Sequence, residues 1–244
     1  METIINPGIH GFIDMCGRFV IAFTDGFHVR FRVPVNEVEV RARFNVSPSQ
    51  FVPIVVSESP NHLESMRWGL IPSWSREERS GLKLINVRSE TVNEKKMFKR
   101  LMSRNRCLVP ATGFYEWMTT DEGKVPYYIR RKDNRFMAFA GLFDKWRSPS
   151  GEVVQSFTIL TTSANDLMRP IHDRMPVILE TEDEDMWVEK SDLEDHDMRR
   201  LFTPFDTEKL EAYQVAKLVR NPGIETAELI RPVEKQAKTV QMRL

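Results

Sequence analysis

Short runs of hydrophobic and β-branched residues recur along most of the chain, separated by polar or glycine-containing segments. Such runs predict strands, because a strand buried on one or both faces needs only a few residues to cross a core. The predicted strands cover residues 51–56, 84–87, 107–109, 114–117, 126–130, 136–140, 156–161 and 177–179.

A helical spacing of apolar residues is found in fewer places. Thr91 and Glu94 have the spacing of a capping box, which predicts a helix start. The apolar residues that follow fall four apart on one face: Met97 with Leu101, and Phe98 with Met102. Further helices are predicted after residue 164 and over 181–190 and 191–201. Strands joined by short loops, with irregularly placed helices, favour a single α+β domain with antiparallel pairing over a doubly wound parallel sheet.

The distribution of charge leaves room for a polyanionic partner. The 35 basic and 35 acidic residues balance, but ten acidic residues and one lysine lie within residues 180–197. The rest of the chain therefore carries a surplus of nine positive charges, which can form a basic surface for nucleic acid. An ordinary solvated surface is the alternative interpretation.

Several kinds of site find no support in the sequence. No apolar run is long enough to cross a membrane, and residues 1–14 lack the pattern of a signal peptide, so the cytoplasm is the expected location. The histidines and cysteines show no metal-ligand spacing, and neither a glycine-rich phosphate loop nor a nucleophile elbow is present. No metal or cofactor is expected. Cys107 is expected to be a small buried apolar residue.

Cys16 directly follows Met15, which gives it an unusual chemical option. If the chain starts at Met15 and this methionine is removed, Cys16 carries both a thiol and a free α-amine. Such a 1,2-aminothiol captures an aldehyde by forming an imine and then a thiazolidine ring. The two groups titrate near ~8 and ~8.5, so both are partly nucleophilic at neutral pH. Arg18, two residues on, favours a thiolate or a phosphate nearby; a purely structural cysteine is the alternative.

Three further segments combine reactive side chains with unusual neighbours. Asn86 and Arg88 fall on one face of a predicted strand, an arrangement suited to a polar or anionic ligand. Glu116 lies among aromatic residues, which is expected to raise its pKa and suit it to acid–base catalysis; a paired structural glutamate is the alternative. His172 and Arg174 also alternate onto one face of an extended segment.

Taken together, these segments resemble the SRAP family, the SOS response-associated peptidases, which are also described as abasic-site processing proteins. The resemblance extends from Met15 to about Val233. It is carried by the residues at positions 15–19, 43–50, 68–74, 86–91, 106–117, 139–142, 158–165 and 171–179. The chain departs from the family's usual residues at 213–216 and at 219–221.

The resemblance implies a single α+β domain on a distorted antiparallel β-barrel with flanking helices and a groove for single-stranded DNA. Its substrate would be an abasic site, whose ring-opened aldehyde Cys16 captures as a thiazolidine. Asn86 would position the amine and thiol of this cysteine. Glu116 would serve as the acid and base for sugar ring opening, imine formation and reversal. His172 would hydrogen-bond to the opened deoxyribose.

The resemblance also implies a set of DNA contacts. Arg18, Arg88 and Arg174 are expected to hold phosphates, which is the sequence-independent part of binding. Asn45 and Pro48 are expected to line the groove.

Two tryptophans are given different roles. Trp68 is expected to stack on a base or to wedge against a duplex end, with core packing as the alternative. Trp74 is expected to pack in the core.

The segment ahead of Met15 admits three accounts. Translation starts at Met15, which we favour; or the protein removes the leader itself, as the peptidase name supposes; or the leader stays and the protein binds DNA without crosslinking. The expected organisation is a leader over 1–14, an SRAP domain over 15–235 and a tail over 236–244, in a monomer.

The leading function is covalent capture of abasic sites in single-stranded DNA, with lyase cleavage and self-reversal as related activities. A cysteine peptidase and a noncatalytic single-strand-binding module are the alternatives.

Overall fold

Thirteen strands and four short α-helices make up the regular structure of the computed structural model, which describes residues 16–35, 38–57, 61–189 and 191–233. The strands are β1 Arg18–Ile21, β2 Arg43–Val46, β3 Phe51–Val56, β4 His62–Trp68, β5 Asn86–Arg88, β6 Arg106–Ala111, β7 Gly113–Thr120, β8 Gly123–Arg131, β9 Met137–Arg147, β10 Val153–Ser163, β11 Arg174–Pro176, β12 Ile178–Leu179 and β13 Leu210–Gln214. The helices are α1 Phe27–Phe31, α2 Lys96–Arg104, α3 Glu184–Val188 and α4 Asp195–Leu201.

Five of these strands close into a barrel. Around the ring, β10 pairs with β4, β4 with β3, β3 with β6, β6 with β9, and β9 with β10 again. Every pair is antiparallel except β4 with β10, and β5 adds a second parallel pairing on β10. The predicted α+β domain on a distorted antiparallel barrel is confirmed, and these parallel contacts are part of its distortion.

A second, five-stranded antiparallel sheet packs against the barrel in the order β13-β8-β7-β1-β2. Its strand β1 lies between two cores because successive side chains point to opposite faces. Phe19 and Ile21 join the main core, whereas Val20 packs into a smaller core with Tyr115 and Tyr128. Strand β1 is therefore buried from both sides.

The predicted strands all correspond to observed strands, although most of these extend further than predicted. The helices differ more. The capping box at Thr91 is absent: this residue ends a 3₁₀ turn, and α2 begins only at Lys96, although Phe98 is buried as predicted. The helix predicted after residue 164 is wrong, because residues there form turns whose amide groups bond to the backbone carbonyl of Asn165.

The assignments of the two tryptophans are reversed in the structure. Trp68 is 1% exposed, donates its indole N–H to the Ile85 carbonyl and lies 5.1 Å from the Phe19 ring centroid. Trp74 is 73% exposed. Trp68 ends β4 inside the main core, so its indole cannot stack on a DNA base without unpacking that core. The expectation that Trp74 packs in the core is equally wrong.

Replacement of the two tryptophans should have unequal effects on stability. Trp68→Ala removes a fully packed indole and should lower the free energy of unfolding by about 3–5 kcal/mol. Trp74→Ala, the matched control, should change it by less than about 0.5 kcal/mol because its side chain is solvated. Urea denaturation followed by circular dichroism measures both values. Equal losses in the two variants would contradict this placement.

Candidate active site

The register of β1 against β7 brings Cys16 to Glu116. Arg18 pairs with Tyr115 and Phe19 with Phe114. Because the two strands are antiparallel, Cys16, which precedes β1, lies beside the residues of β7 that follow Tyr115. Glu116 is the first of these residues. Both residues are 3% exposed.

The Cys16 nitrogen donates a hydrogen bond to Oε1 of Glu116 at 2.5 Å. The thiol of Cys16 interacts with the same carboxyl group. On the other side, Nδ2 of Asn86 lies 3.4 Å from the Cys16 carbonyl oxygen. The nitrogen and sulfur of an aminothiol at Cys16 would therefore both face one carboxyl group, while the Asn86 amide contacts the carbonyl oxygen of the same residue.

The remaining predicted residues reach the site through β10. This strand pairs with β5, placing Asn86 beside Ile159, and with β11, placing Arg174 beside Ser163. The backbone N–H of Arg174 donates to Nδ1 of His172 at 3.0 Å. Oδ1 of Asp173 also lies 3.1 Å from this Nδ1. When Nδ1 accepts from Arg174, a neutral His172 ring carries its proton on Nε2.

The guanidinium of Arg174 is fixed inside the protein. It makes two bonds to the Glu90 carboxylate, at 2.6 and 2.8 Å, and a third to the Thr161 carbonyl at 2.7 Å. Such a two-pronged pair sets the orientation of the guanidinium as well as its charge. Glu90 is a site residue that the sequence did not reveal, because it reads as an ordinary acid at a helix start.

Burial dominates the electrostatics of the pair at the centre. Burial raises the pKa of the Glu116 carboxyl group, and the nearby His172 and the Cys16 hydrogen bonds oppose this rise. Burial also raises the pKa of the Cys16 thiol well above its usual range, and Glu116 adds to this effect while Arg174 opposes it. The site thus holds a thiol and a carboxyl group whose pKa values are both raised by burial, which favours the protonated form of each.

The predicted DNA contacts fall into two groups. Arg88 is exposed and Pro48 half-buried, so both are accessible. Asn45 is fully buried, and its Nδ2 donates to backbone carbonyls at 219, 221 and 224. Arg18 bonds to the Val219 carbonyl at 2.8 Å. The expectation that Asn45 lines the groove is wrong, and Arg18 and Arg174 are occupied by internal acceptors rather than presented to phosphates.

A surface groove of about 450 Å³ lies ahead of β5 and was missed by sequence reasoning. It combines an exposed indole at Trp74 with the basic side chains of Arg79 and Lys83. Leu84, which also lines it, is two residues before Asn86. The signal available in the sequence was the presence of Arg76, Arg79 and Lys83 shortly after Trp74.

Among the described residues, no three histidine, cysteine or acidic side chains come together in a way that could hold a metal ion. Cys16 and Cys107 are both free thiols, and Cys107 is fully buried as predicted. Within the same described ranges, no helix has the length and apolar character needed to span a membrane.

Over residues 15–222, the chain matches the family model described as SOS response associated peptidase (SRAP). The chain belongs to the SRAP family. Abasic site processing protein YoqW of Bacillus subtilis is 41% identical over 221 residues, which cover 88% of this chain and 99% of that relative. Abasic site processing protein HMCES of Xenopus tropicalis is 33% identical over 222 residues, covering 78% of this chain and 66% of that relative.

Solved structures share the same fold. A protein from Bacteroides thetaiotaomicron has a TM-score of 0.81 at 30% identity, covering 89% of this SRAP chain and 100% of its own. A protein from Bordetella bronchiseptica has a TM-score of 0.69 at 26% identity, covering 82% of this chain and 100% of its own.

Glu116 and Glu90 should affect the pH dependence of stability in opposite directions. Because the pKa of Glu116 is raised by folding, its contribution to stability is present below the unfolded pKa and is lost as the pH rises through the folded pKa. Relative to wild type, Glu116→Gln should therefore gain stability as the pH rises from about 4 to about 8.

Glu90 provides the matched comparison, because its hydrogen bonds from Arg174 lower its pKa. Its contribution is present above the unfolded pKa and is lost as the pH falls through the folded pKa. Glu90→Gln should therefore lose stability relative to wild type as the pH rises from about 2 to about 5. Urea titrations at several pH values measure both differences, and parallel trends in the two variants would contradict the assigned environments.

Proposed function

We propose that this SRAP protein covalently captures ring-opened abasic sites in single-stranded DNA through the amine and thiol of Cys16, once Cys16 is the first residue. The observation that carries this proposal is the position of the Cys16 nitrogen, 2.5 Å from the buried Glu116 carboxyl group. The names of the relatives, abasic site processing proteins, support the same substrate. Such a protein would shield the lesion in the cytoplasm, on nucleoid DNA.

The chemistry forms two bonds and releases one water. The α-amine of Cys16 attacks the C1′ aldehyde, and the resulting carbinolamine loses its hydroxyl group as water to give an imine. Glu116 donates the proton that this hydroxyl group needs to leave, so the product is a protonated imine and a Glu116 carboxylate. The thiol sulfur then adds to the imine carbon while the thiol proton returns to the Glu116 carboxylate. The product is a thiazolidine, with no oxidant or reductant required.

The raised pKa of the Glu116 carboxyl group suits both steps of the reaction, the loss of water and the addition of the thiol. In its protonated form the carboxyl group can open the sugar ring and expel water, and its conjugate base can then accept the thiol proton. The same group working in reverse would release the aldehyde. His172, as a donor through Nε2, would bond to a hydroxyl group of the opened sugar, and Asn86 would hold Cys16 in place.

The backbone at Cys16 favours a chain that begins there. Its φ angle is 24°, a left-handed value that strains a residue other than glycine. A first residue has no φ angle, so loss of Met15 removes this strain and frees the nitrogen together. A chain whose translation starts at Met15 begins at Cys16 once this methionine is removed. A longer chain begins there as well if its leader is cleaved off after Met15.

Single-stranded DNA would reach the site along accessible basic and aromatic residues. Arg88 follows Asn86 on β5 and is exposed, so it would hold a phosphate next to the captured sugar. Trp74 takes over the stacking role first expected of Trp68, with Arg79 and Lys83 beside it to attract the backbone.

Two related activities use the same groups. From the imine, removal of a C2′ proton and departure of the 3′ phosphate would cleave the strand, which is lyase activity. A peptidase reaction is favoured less by this site, because a peptidase needs a cysteine with a depressed pKa. Burial and Glu116 instead raise the pKa of the Cys16 thiol.

A denaturing gel of abasic single-stranded DNA, with protein that begins at Met15, tests the proposal. Wild type should give a heat-stable shift, and Cys16→Ala should give none. Glu116→Gln should slow crosslinking on the order of 100-fold while leaving affinity for intact single-stranded DNA unchanged. Arg88→Ala should weaken that affinity and flatten its salt dependence by about one phosphate contact.

Three results on this gel would contradict the proposal. A persistent shift in Cys16→Ala would place the crosslink elsewhere. Reversible binding alone in wild type would leave a noncatalytic single-strand-binding module. Equal losses of affinity in Glu116→Gln and Arg88→Ala would remove the division between chemistry and binding.

A further inference from the structure

The end of the described chain forms a strap across the back of β1. The strap, residues 215–231, contains two 3₁₀ turns and inserts Val219 and Leu229 into the smaller core. Both side chains are fully buried there, in the same cluster as Val20 of β1. The strap and the first strand thus stabilise each other, although about 200 residues of sequence separate them.

Arg18 joins the strap to the first strand. It lies on the same face of β1 as Val20, since it is two residues away. Its Nη1 donates to the Val219 carbonyl at 2.8 Å and its Nη2 to the Arg220 carbonyl at 3.3 Å. Nη1 also donates to Oδ1 of Asn45 on β2, again at 2.8 Å. A guanidinium is suited to this task because its donors fan out in one plane.

The hydrogen bonds that join β1 and β2 to the strap form a junction, and Asn45 on β2 is its second member. It is fully buried, accepts from Arg18 and donates through Nδ2 to three strap carbonyls. The acceptors are Val219 at 3.2 Å, Asn221 at 2.9 Å and Ile224 at 3.1 Å. These contacts use backbone oxygens, so the unusual side chains at 219–221 leave the junction intact.

Glu225 closes the junction from the strap side. Its Oε2 accepts from the backbone N–H groups of Phe44 and Asn45 at 2.8 and 3.2 Å. Its Oε1 accepts from Nε of Arg43 at 3.1 Å. One acidic side chain of the strap thus holds the start of β2, which in turn pairs with β1.

We infer that Arg18 is a positioning residue: by tying β1 to the strap and Asn45, it holds the Cys16 nitrogen and thiol against Glu116. This inference rests on the proposed function. When Cys16 is the first residue, no chain precedes β1 to steady it, and free ends of chains fray unless they are tied down. Arg18 is two residues from that end. A displacement of about 1 Å at a reacting group can slow its reaction on the order of 100-fold.

The inference gives Arg18 a role different from the phosphate contact first expected, and two variants of opposite charge separate these roles. Arg18→Ala removes a positive charge, whereas Glu225→Gln removes a negative charge from the same junction. If the junction positions Cys16, both should slow first-order crosslinking at saturating abasic DNA, by on the order of tenfold or more for Arg18→Ala. Affinity for intact single-stranded DNA and its salt dependence should stay unchanged in both.

A second readout needs no DNA. Cys16 is 3% exposed, so loosening β1 should speed its alkylation by iodoacetamide. Mass spectrometry of peptides separates Cys16 from Cys107, which should stay unreacted in every variant. Lys217→Ala is the matched control, since it removes an exposed charge from the strap without touching the junction. If Arg18→Ala lowers the unfolding temperature too far for these measurements, Arg18→Lys replaces it. Its alkylation rate should lie between those of wild type and Arg18→Ala.

The outcomes separate the inference from the proposed function. Weaker binding with a flatter salt slope, and unchanged crosslinking at saturation, would make Arg18 a phosphate contact and overturn the inference. Unchanged alkylation and crosslinking in both junction variants would overturn it as well, with the proposed function intact. If wild type fails to crosslink but Arg18→Ala is alkylated faster than Lys217→Ala, the proposed function fails and the positioning role stands.

Discussion

The structure of the site depends on one buried carboxyl group, that of Glu116. A carboxylate in an apolar interior is unfavourable unless it gains hydrogen bonds or a proton. Here it receives a hydrogen bond from the Cys16 nitrogen, and its pKa is raised by burial. Burial thus favours the protonated carboxyl group and the hydrogen bond favours the carboxylate, directly beside the nitrogen and thiol of Cys16. The proposed chemistry is a direct use of that balance.

The site forms only when the second sheet and the barrel pack against each other. The second sheet supplies Cys16 and Glu116 through the pairing of β1 with β7, and the barrel supplies Asn86 and Arg174 through β10. A slip of one residue between β1 and β7 would turn Glu116 to the other face of the sheet. Burial of β1 from both sides resists such a slip. Folding of the whole domain is therefore a condition for the site.

The sequence predicted the fold class and the residues at the centre of the site because both leave local signals. Short apolar runs mark buried strands, and Glu116 is conspicuous as an acid among aromatic residues. The sequence could not reveal whether a side chain is buried or exposed where this depends on contacts with distant parts of the chain. Trp68 and Trp74 lie only six residues apart in the sequence, and the packing of β4 in the barrel decides that the first is buried. Arg18 and Asn45 likewise have polar side chains that suit DNA, yet both donate to the Val219 carbonyl, which is 201 and 174 residues further along the chain.

The most direct test of the account is the mass of the product formed with abasic single-stranded DNA, mapped after nuclease digestion. The account predicts a modified peptide that begins at Cys16 and is heavier by the remaining sugar phosphate less one water. Both its amine and its thiol should resist further acylation and alkylation, and no reducing agent should be needed to trap it. A product on a lysine, a product on the thiol with the amine still reactive, or an adduct peptide that still carries Met15 would contradict it.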